Sequence, residues 1–538
     1  MPRELCPQIR LDWVHSWRSP AFPDDASHRE GTTKRESSIG AVRPAGPPSG
    51  DALAETELRA GTVGLAGAIM QNVTHIAPAM AAFSFTQTLV GSAGAQAPLA
   101  YVIGLTIVLA LGICLSQLAR KFPSAGGYFT YVSRTLGPRL GFLTAWMFVL
   151  YSPVVTGPSL AFLGQILEAE LQGNYGWSGF HWWMMVVAGI PLVAYAGYAG
   201  ISLSIRFIVI VGAVEILIVT ALGITGLLDP GPGGFSAAPF VPGFNPGGIA
   251  TASGFVLAVV LTVQGLTGWE GAVPLAEETI NPRRNVPRSI MASIAIIGVM
   301  LVIAAWGQIV GWGTDNLKAL VSSTEMPALV VAHRVWGNLW WITLLAIITS
   351  SIGVCLACQN TATRMWFGMG RSGVLPAAFG RVHPRRKTPT MAVTAQTILS
   401  VLLGFLFPYL MGPREFFIFL IGFVLVLAII FVYVIANIGI IRYYWTEARD
   451  EFNWILHFLF PAGTSLILVY SVYVSFIPPP ASPNNWSPWV ACGWLILGIA
   501  ILCGMKLAGK EDWLARAAEV VREHPETEVE KRKLAPPL

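Results

Sequence analysis

Apolar runs about twenty residues long follow one another along nearly the whole chain, separated by short polar segments. Each is long enough to cross the hydrocarbon of a bilayer as a helix. About twelve such spans can be read, at 61–88, 97–119, 139–167, 180–199, 202–228, 250–275, 289–311, 338–369, 390–411, 415–441, 455–477 and 487–507. The pattern predicts an all-α integral membrane protein. The first span carries Gln71-Asn72-Val73-Thr74-His75-Ile76-Ala77-Pro78 between apolar arms. The sixth carries Gly265, Thr267, Gly268 and Glu270 before Pro274 and a charged hairpin. A helix that breaks at membrane depth exposes backbone groups that lipid cannot satisfy, so such breaks belong where they line a protein cavity. Interruption of the first and sixth spans fits two inverted repeats of five spans, with the last two spans outside them. The expected divisions are a tail at 1–58, a first repeat at 59–229, a second at 250–441, two extra helices at 455–507 and a second tail at 508–538.

Composition and charge narrow the class. The chain is 54% apolar and only 12% charged, against roughly a quarter charged in soluble domains. With the N-terminus placed in the cytoplasm, the inner loops receive Arg120, Lys121, Arg134, Arg139, Arg206, Arg283, Arg284, Arg288, the cluster from Arg371 to Lys387, Arg442 and Arg449. The outer loops receive only Lys318, Arg334 and Arg414. By the positive-inside rule both termini are expected on the cytoplasmic side of the plasma membrane, in a multi-pass protein. The net charge of +5 is thus an orientation signal; it is spread over every inner loop, and nucleic acid is not an expected partner. The polar first 55 or so residues have a disordered composition. Of six cysteines, only Cys355 and Cys358 form a CxxC; they lie one turn apart in an apolar helix and are read as packing. No HExxH, GxSxG or P-loop occurs. An enzyme is therefore not expected, and no catalytic residue, cofactor or metal site is assigned. Any accumulation would draw on an ion or exchange gradient.

Several residues are candidates for chemistry. Pro78 suits the first turn of a helix. A half-helix beginning near Ala77 would aim free N–H groups at a substrate carboxylate, with Thr74, His75 and Ile76 beside it. In the sixth span, unpaired carbonyls from Val263 to Leu266, around Gln264 and Gly265, would receive an ammonium without an acidic side chain. Gly268 permits the break, and Trp269 would cover the ligand. Phe148 and Tyr151 on the third span would wall it. Glu215, amid the apolar fifth span, is an intramembrane ionisable group and a candidate proton carrier. On the eighth span Thr349, Ser350 and Ser351 would hydrogen-bond Glu215 or complete a sodium site. Glu270, Glu277, Glu278 and Arg283 are expected in an inner gate, with Arg284, Arg288 and either Arg120 or Arg371. A neutral zwitterion fits this set better than a strongly basic or acidic substrate.

Three motifs carry a family resemblance. Ala119-Arg120-Lys121-Phe122-Pro123-Ser124-Ala125-Gly126-Gly127-Tyr128 resembles the loop after the second span in the amino acid–polyamine–organocation (APC) permeases. Glu277-Glu278-Thr279-Ile280-Asn281-Pro282-Arg283-Arg284-Asn285-Val286-Pro287-Arg288 resembles their motif after the sixth. The stretch from Arg364 to Pro376, with His383-Pro384 and Thr388-Pro389, resembles their motif after the eighth. The resemblance spans about residues 60–510. It implies a LeuT-type 5+5 inverted-repeat fold with broken helices 1 and 6, and transport of amino acids or amines by uptake or exchange; the intramembrane Glu215 favours a proton over sodium as the coupling ion. An exchanger, a sodium symporter and a non-transporting sensor of the same fold are the alternatives. Gln264 stands where some members project an aromatic gate. Glu270 matches a frequent acid of the family, Glu215 stands where some proton-coupled members carry Lys, and Thr74 to Ala79 replace the family's Gly-rich pattern.

Overall fold

The computed structural model describes residues 57–323 and 325–509; the expected tails fall largely outside them. Helices dominate. In chain order they are α1 (Leu65–Ile76), α2 (Pro78–Ser84), α3 (Ala97–Lys121), α4 (Tyr128–Leu136), α5 (Pro138–Phe148), α6 (Thr156–Tyr175), α7 (Trp183–Ala199) and α8 (Ile201–Leu228). There follow α9 (Ala252–Gly265), α10 (Pro282–Trp312), α11 (Trp341–Arg371), α12 (Thr390–Met411), α13 (Leu425–Thr446), α14 (Phe460–Phe476) and α15 (Ser487–Leu507). Shorter α-helices (Thr86–Ala93, Leu317–Ser322, Pro327–Trp336 and Pro413–Phe417), turns and π or 3-10 segments join them.

Among the described residues, nine helices are long and apolar enough to cross a membrane, and α7 and α9 are shorter apolar helices. The twelve spans read from the sequence resolve as those nine plus the first, fourth and sixth. The first is cut at Ala77 and again at Phe85, and the sixth stops at Gly265. Their pieces are too short to span alone, although their residues are as apolar as their neighbours.

The long helices bury one stripe and expose another. On α8 the buried side runs through Ile208, Gly212, Glu215, Val219 and Leu222. The outer side carries Leu203, Phe207, Ile210, Val214 and Leu217, the last 69% exposed. Both stripes repeat at three or four residues, the helical period. Large apolar side chains exposed in this way fit lipid rather than water. Helices α8 and α10 cross at glycine. A Cβ built on Gly307 would lie 2.0 Å from the carbonyl oxygen of Gly223, and one on Gly226 would lie 2.4 Å from that of Gly307. Small residues let backbones approach in this way in membranes. The pieces α1 and α2 sit within the bundle, packed against α8, α10 and α11.

Candidate functional site

The first break is sharp. α1 ends at Ile76, Ala77 takes a left-handed conformation (φ 59°, ψ 69°), and α2 restarts at Pro78. Proline fits there because a first-turn N–H would go unpaired anyway. The amide of Ala77 turns back to the carbonyl of Thr74 at 3.1 Å. The hydroxyl of Thr74 donates to its own helix at the Met70 carbonyl, 2.7 Å away, so it neither caps α2 nor faces a ligand.

In the sixth span, α9 ends at Gly265, turns follow, and a 3-10 helix begins at Val273. The carbonyls of Val263 and Gln264, expected to be free, accept from the Thr267 side chain (3.3 Å) and amide (2.9 Å). No hydrogen bond among the described residues reaches the carbonyls of Gly265 or Leu266, so the unpaired stretch is shorter than expected. Gln264 is partly exposed and makes no side-chain hydrogen bond among the described residues.

The two breaks touch. His75 Nδ1 lies 3.0 Å from the Gly268 carbonyl, and Nε2 lies 2.9 Å from the Ser152 hydroxyl. A carbonyl only accepts, so Nδ1 carries hydrogen and Nε2 of the neutral ring accepts from Ser152. Gly268 has φ 124°, and a Cβ on it would sit 2.7 Å from the His75 backbone. Only glycine permits both the angle and the approach. Asn72 reinforces the junction, its side-chain oxygen accepting from the Ala272 amide at 2.6 Å.

The free N–H groups of α2 have partners of their own. The amide of Ala79 donates to Glu215 Oε1 at 2.7 Å, and that of Met80 to the Ser350 hydroxyl at 3.3 Å. The position expected for a substrate carboxylate is therefore held by a carboxylate from α8. Glu215 is fully buried, and its second oxygen makes no hydrogen bond. Ser351 is buried with an unpartnered hydroxyl, and Thr349 turns back to the Leu345 carbonyl at 3.0 Å. Of the three hydroxyls on α11, Ser350 alone reaches α2.

An aromatic cluster lies on the other side of the breaks. Tyr151 meets His75 edge-on at 5.6 Å between ring centroids, and Phe148 meets Tyr151 at 5.1 Å. Tyr128 of α4 sits 6.0 Å from Tyr433 of α13, and Trp269 sits 5.4 Å from Tyr433. A cavity of about 10 Å³, lined among others by Tyr128, Trp269, Tyr433 and Asn437, has room for roughly one water. Glu270 is 1% exposed. The hydroxyls of Tyr151 and Tyr433 face its carboxyl within hydrogen-bonding reach, although outside ideal hydrogen-bond geometry.

Glu270 sits apart from the acids with which it was grouped. Glu278 forms a fully buried ion pair with Arg364 of α11, Nε to Oε2 at 2.8 Å. Glu277 pairs with Arg371 and also accepts from the Ala125 amide at 2.9 Å. Its carbonyl neighbour completes the closure: the Glu278 carbonyl accepts from the amides of Thr62 and Val63 at 2.8 and 2.9 Å. One end of the bundle is thereby tied from the start of the first span to the second loop, the sixth span and the eighth. Arg283, expected in this network, is exposed and makes no ion pair among the described residues.

Sequence reasoning missed Arg364, Tyr128, Tyr433 and Asn72 as parts of this region. Arg364 had a signal, since it is an arginine inside an apolar span. Tyr128 and Asn72 lay in stretches singled out for other reasons, but like Tyr433 they carried no sign of their partners, which lie far away in sequence.

A model of the family described as amino acid permease matches residues 61–501. Among similar proteins is a low-affinity putrescine importer of Escherichia coli (strain K12), 25% identical over 398 residues, covering 72% of this chain and 82% of that one. A branched-chain amino acid permease of Bacillus subtilis (strain 168) is 24% identical, covering 61% and 70%. An L-methionine/branched-chain amino acid exporter of E. coli (strain K12) is 26% identical, covering 51% and 62%.

Proposed function

The chain belongs to the amino acid permease family, and on that premise we propose that it is a secondary active transporter moving amino acids or related amines across the cytoplasmic membrane by proton-coupled uptake. Its termini are cytoplasmic in this reading, and its first ten spans form the LeuT-type 5+5 inverted repeat with two helices beyond it. The observation that carries the proposal is the contact of two interrupted helices, His75 on Gly268, deep in an apolar bundle. Interrupted helices with unpaired backbone are the substrate sites of such folds. Substrate-facing roles go to His75, Ile76, Ala77, Pro78, Gly265, Gly268, Trp269, Phe148 and Tyr151. Glu277 and Glu278, held by Arg371 and Arg364, form the inner gate.

The proton is assigned to Glu215. Its carboxylate grips α2 through the Ala79 amide, and a charged acceptor makes a stronger hydrogen bond than a neutral one. Protonation loosens that grip and lets the first span move; deprotonation restores it. The placement of Ser350 argues for a proton over sodium, because its oxygen is already engaged by the Met80 amide. The relatives include both an importer and an exporter, so direction rests on the gradient. The test is uptake of labelled amino acids and amines into proteoliposomes under an imposed proton gradient, a sodium gradient or neither. The proposal predicts accumulation with the proton gradient alone. Sodium-driven uptake that Ser350→Ala or Ser351→Ala abolishes would replace the proton; ligand-dependent stabilisation without flux would make the protein a sensor.

A further inference from the structure

We propose that the proton reaches Glu215 from the outer side by a path separate from the substrate's, along water held by the second break of the first span, by Gln308 and by Thr343. The inference rests on the transport reading above, which makes Glu215 the proton carrier, and adds the path and its direction. The outer side is the end of the bundle away from the Glu278–Arg364 pair.

The cut at Phe85 strands backbone groups. α2 ends at Ser84 and helix resumes at Thr86. Among the described residues, no backbone amide reaches the carbonyls of Ala81, Phe83 or Ser84 across the cut. The Ala82 carbonyl accepts side chains instead, the Thr86 hydroxyl at 2.7 Å and the Gln308 amide of α10 at 3.0 Å. Gln308 is 1% exposed, and its own side-chain oxygen has no partner; neither has the Ser84 hydroxyl. A helix end shut inside protein needs partners for its last carbonyls. Water supplies them where two to four polar groups converge.

α11 carries the line on to Glu215. Thr343 is fully buried and its hydroxyl is unpartnered. It stands seven residues before Ser350, close to two turns, and so on the same side of the helix. About 10 Å separates the two along the axis, the length of roughly three waters in file. Ser351 adds a second buried, unpartnered hydroxyl. The Ser350 oxygen accepts from the Met80 amide, so its own hydrogen is free to be given, and Glu215 lies within its reach. Along such a file each water accepts one proton and passes one on. The last gives its proton to the Glu215 carboxylate, which becomes the neutral acid, and the water regains its form.

The inner side offers no such path. Its polar groups are spent on one another. Gln71 donates to the Ala357 carbonyl at 2.8 Å and accepts from Asn360 at 3.1 Å, Asn360 donates to Ser204 at 2.8 Å, and Thr361 donates to the Gly271 carbonyl at 2.8 Å. None of these five side chains has a buried atom without a partner. Between this network and Glu215, the buried side of α8 presents Ile208 and Val211, and a Cβ on Gly212 would meet the Thr74 methyl at 3.0 Å. Buried polar groups normally have partners, so stranded oxygens on one side of Glu215 and saturated ones on the other give the path its direction. Among the described residues no second acid or base competes for the proton. α2 has none. His75 of α1 is bonded to Gly268 and Ser152. On α11, Cys355 lies against the Thr156 carbonyl, and Arg364 and Arg371 are paired with Glu278 and Glu277. Arg283, Arg284 and Arg288 of α10 are exposed at its inner end. Near the outer ends of α8 and α10, His333 stacks on Trp340 and Arg334 pairs with Asp229.

The experiment reconstitutes the full-length protein into proteoliposomes with labelled leucine, methionine or putrescine, whichever the parent exchanges. Counterflow is read without a gradient, uptake is read under a proton gradient over a range of outer pH, and proton entry is followed with a trapped pH dye. Thr343→Val removes the hydroxyl and keeps the shape. It is expected to need at least tenfold more outer protons for half-maximal uptake, with counterflow and unfolding midpoint as in the parent. Thr343→Ser, which keeps the hydroxyl, is expected to match the parent. Gln308→Met is expected to shift the proton dependence in the same direction by less. Proton-driven uptake in the parent with both Thr343→Val and Gln308→Met unchanged overturns the path alone. A Thr343→Ser as impaired as Thr343→Val, or a loss of counterflow in step with uptake, makes Thr343 a packing residue and overturns it too. Counterflow in the parent without any proton drive overturns the coupling reading and the path together.

Discussion

Gly268 and Arg364 show how much hangs on single residues. Gly268 has a conformation reserved for glycine, and a Cβ there would strike the backbone of His75 at 2.7 Å. Backbone strain of this kind is worth about 1–3 kcal/mol, and here relief would require the two breaks to separate. Gly268→Ala is therefore expected to lower the unfolding midpoint and to cut flux at least tenfold. Arg364 makes a different prediction. Removing one member of a buried pair strands the other, at roughly 3–5 kcal/mol, whereas replacing both with apolar residues is often neutral. Arg364→Met should be strongly destabilised, and the double change with Glu278→Leu should regain most of the loss in thermal unfolding. At this scale the sequence was legible where a residue changes the backbone. Pro78 and Gly268 announced their breaks. It was not legible where the partner is distant: nothing near Ala79 says that its amide meets Glu215, 136 residues on.

Helices respond to which face they present. On α8 the exposed stripe through Ile210 and Leu217 and the buried stripe through Gly212, Glu215 and Gly223 call for opposite tolerances. Leu217→Ala should leave both stability and flux nearly unchanged. Gly307→Leu should not, because its added side chain falls on the Gly223 backbone 2.0 Å away; the expected outcome is loss of folded protein, read by size-exclusion profile and thermal unfolding. Periodicity made the existence of these helices readable, and most ends lie within a few residues of where the apolar runs stop. It could not show that the first span is cut a second time at Phe85, since no glycine or proline marks that place.

At the scale of the whole molecule, contacts tie both ends of the bundle. The Glu278–Arg364 and Glu277–Arg371 pairs tie one end. At the other end the Gln87 side chain donates to the carbonyls of Val321 and Ser323 at 3.0 and 2.7 Å. Apolar length and the paired breaks made the membrane class and the two interrupted spans legible. The closure was half legible: Arg371 was foreseen as a partner, but Arg364 was read only as part of a motif. In the proposed cycle both ends open in turn and coupling runs through Glu215, and the two demands separate in one measurement. Proteoliposomes containing the parent protein or Glu215→Gln are loaded with unlabelled substrate, and entry of external label is followed with and without an imposed proton gradient. The account predicts counterflow in both proteins, and net accumulation driven by the proton gradient in the parent alone. Gradient-driven accumulation by Glu215→Gln with the parent's pH profile, or no counterflow in the parent, would contradict it.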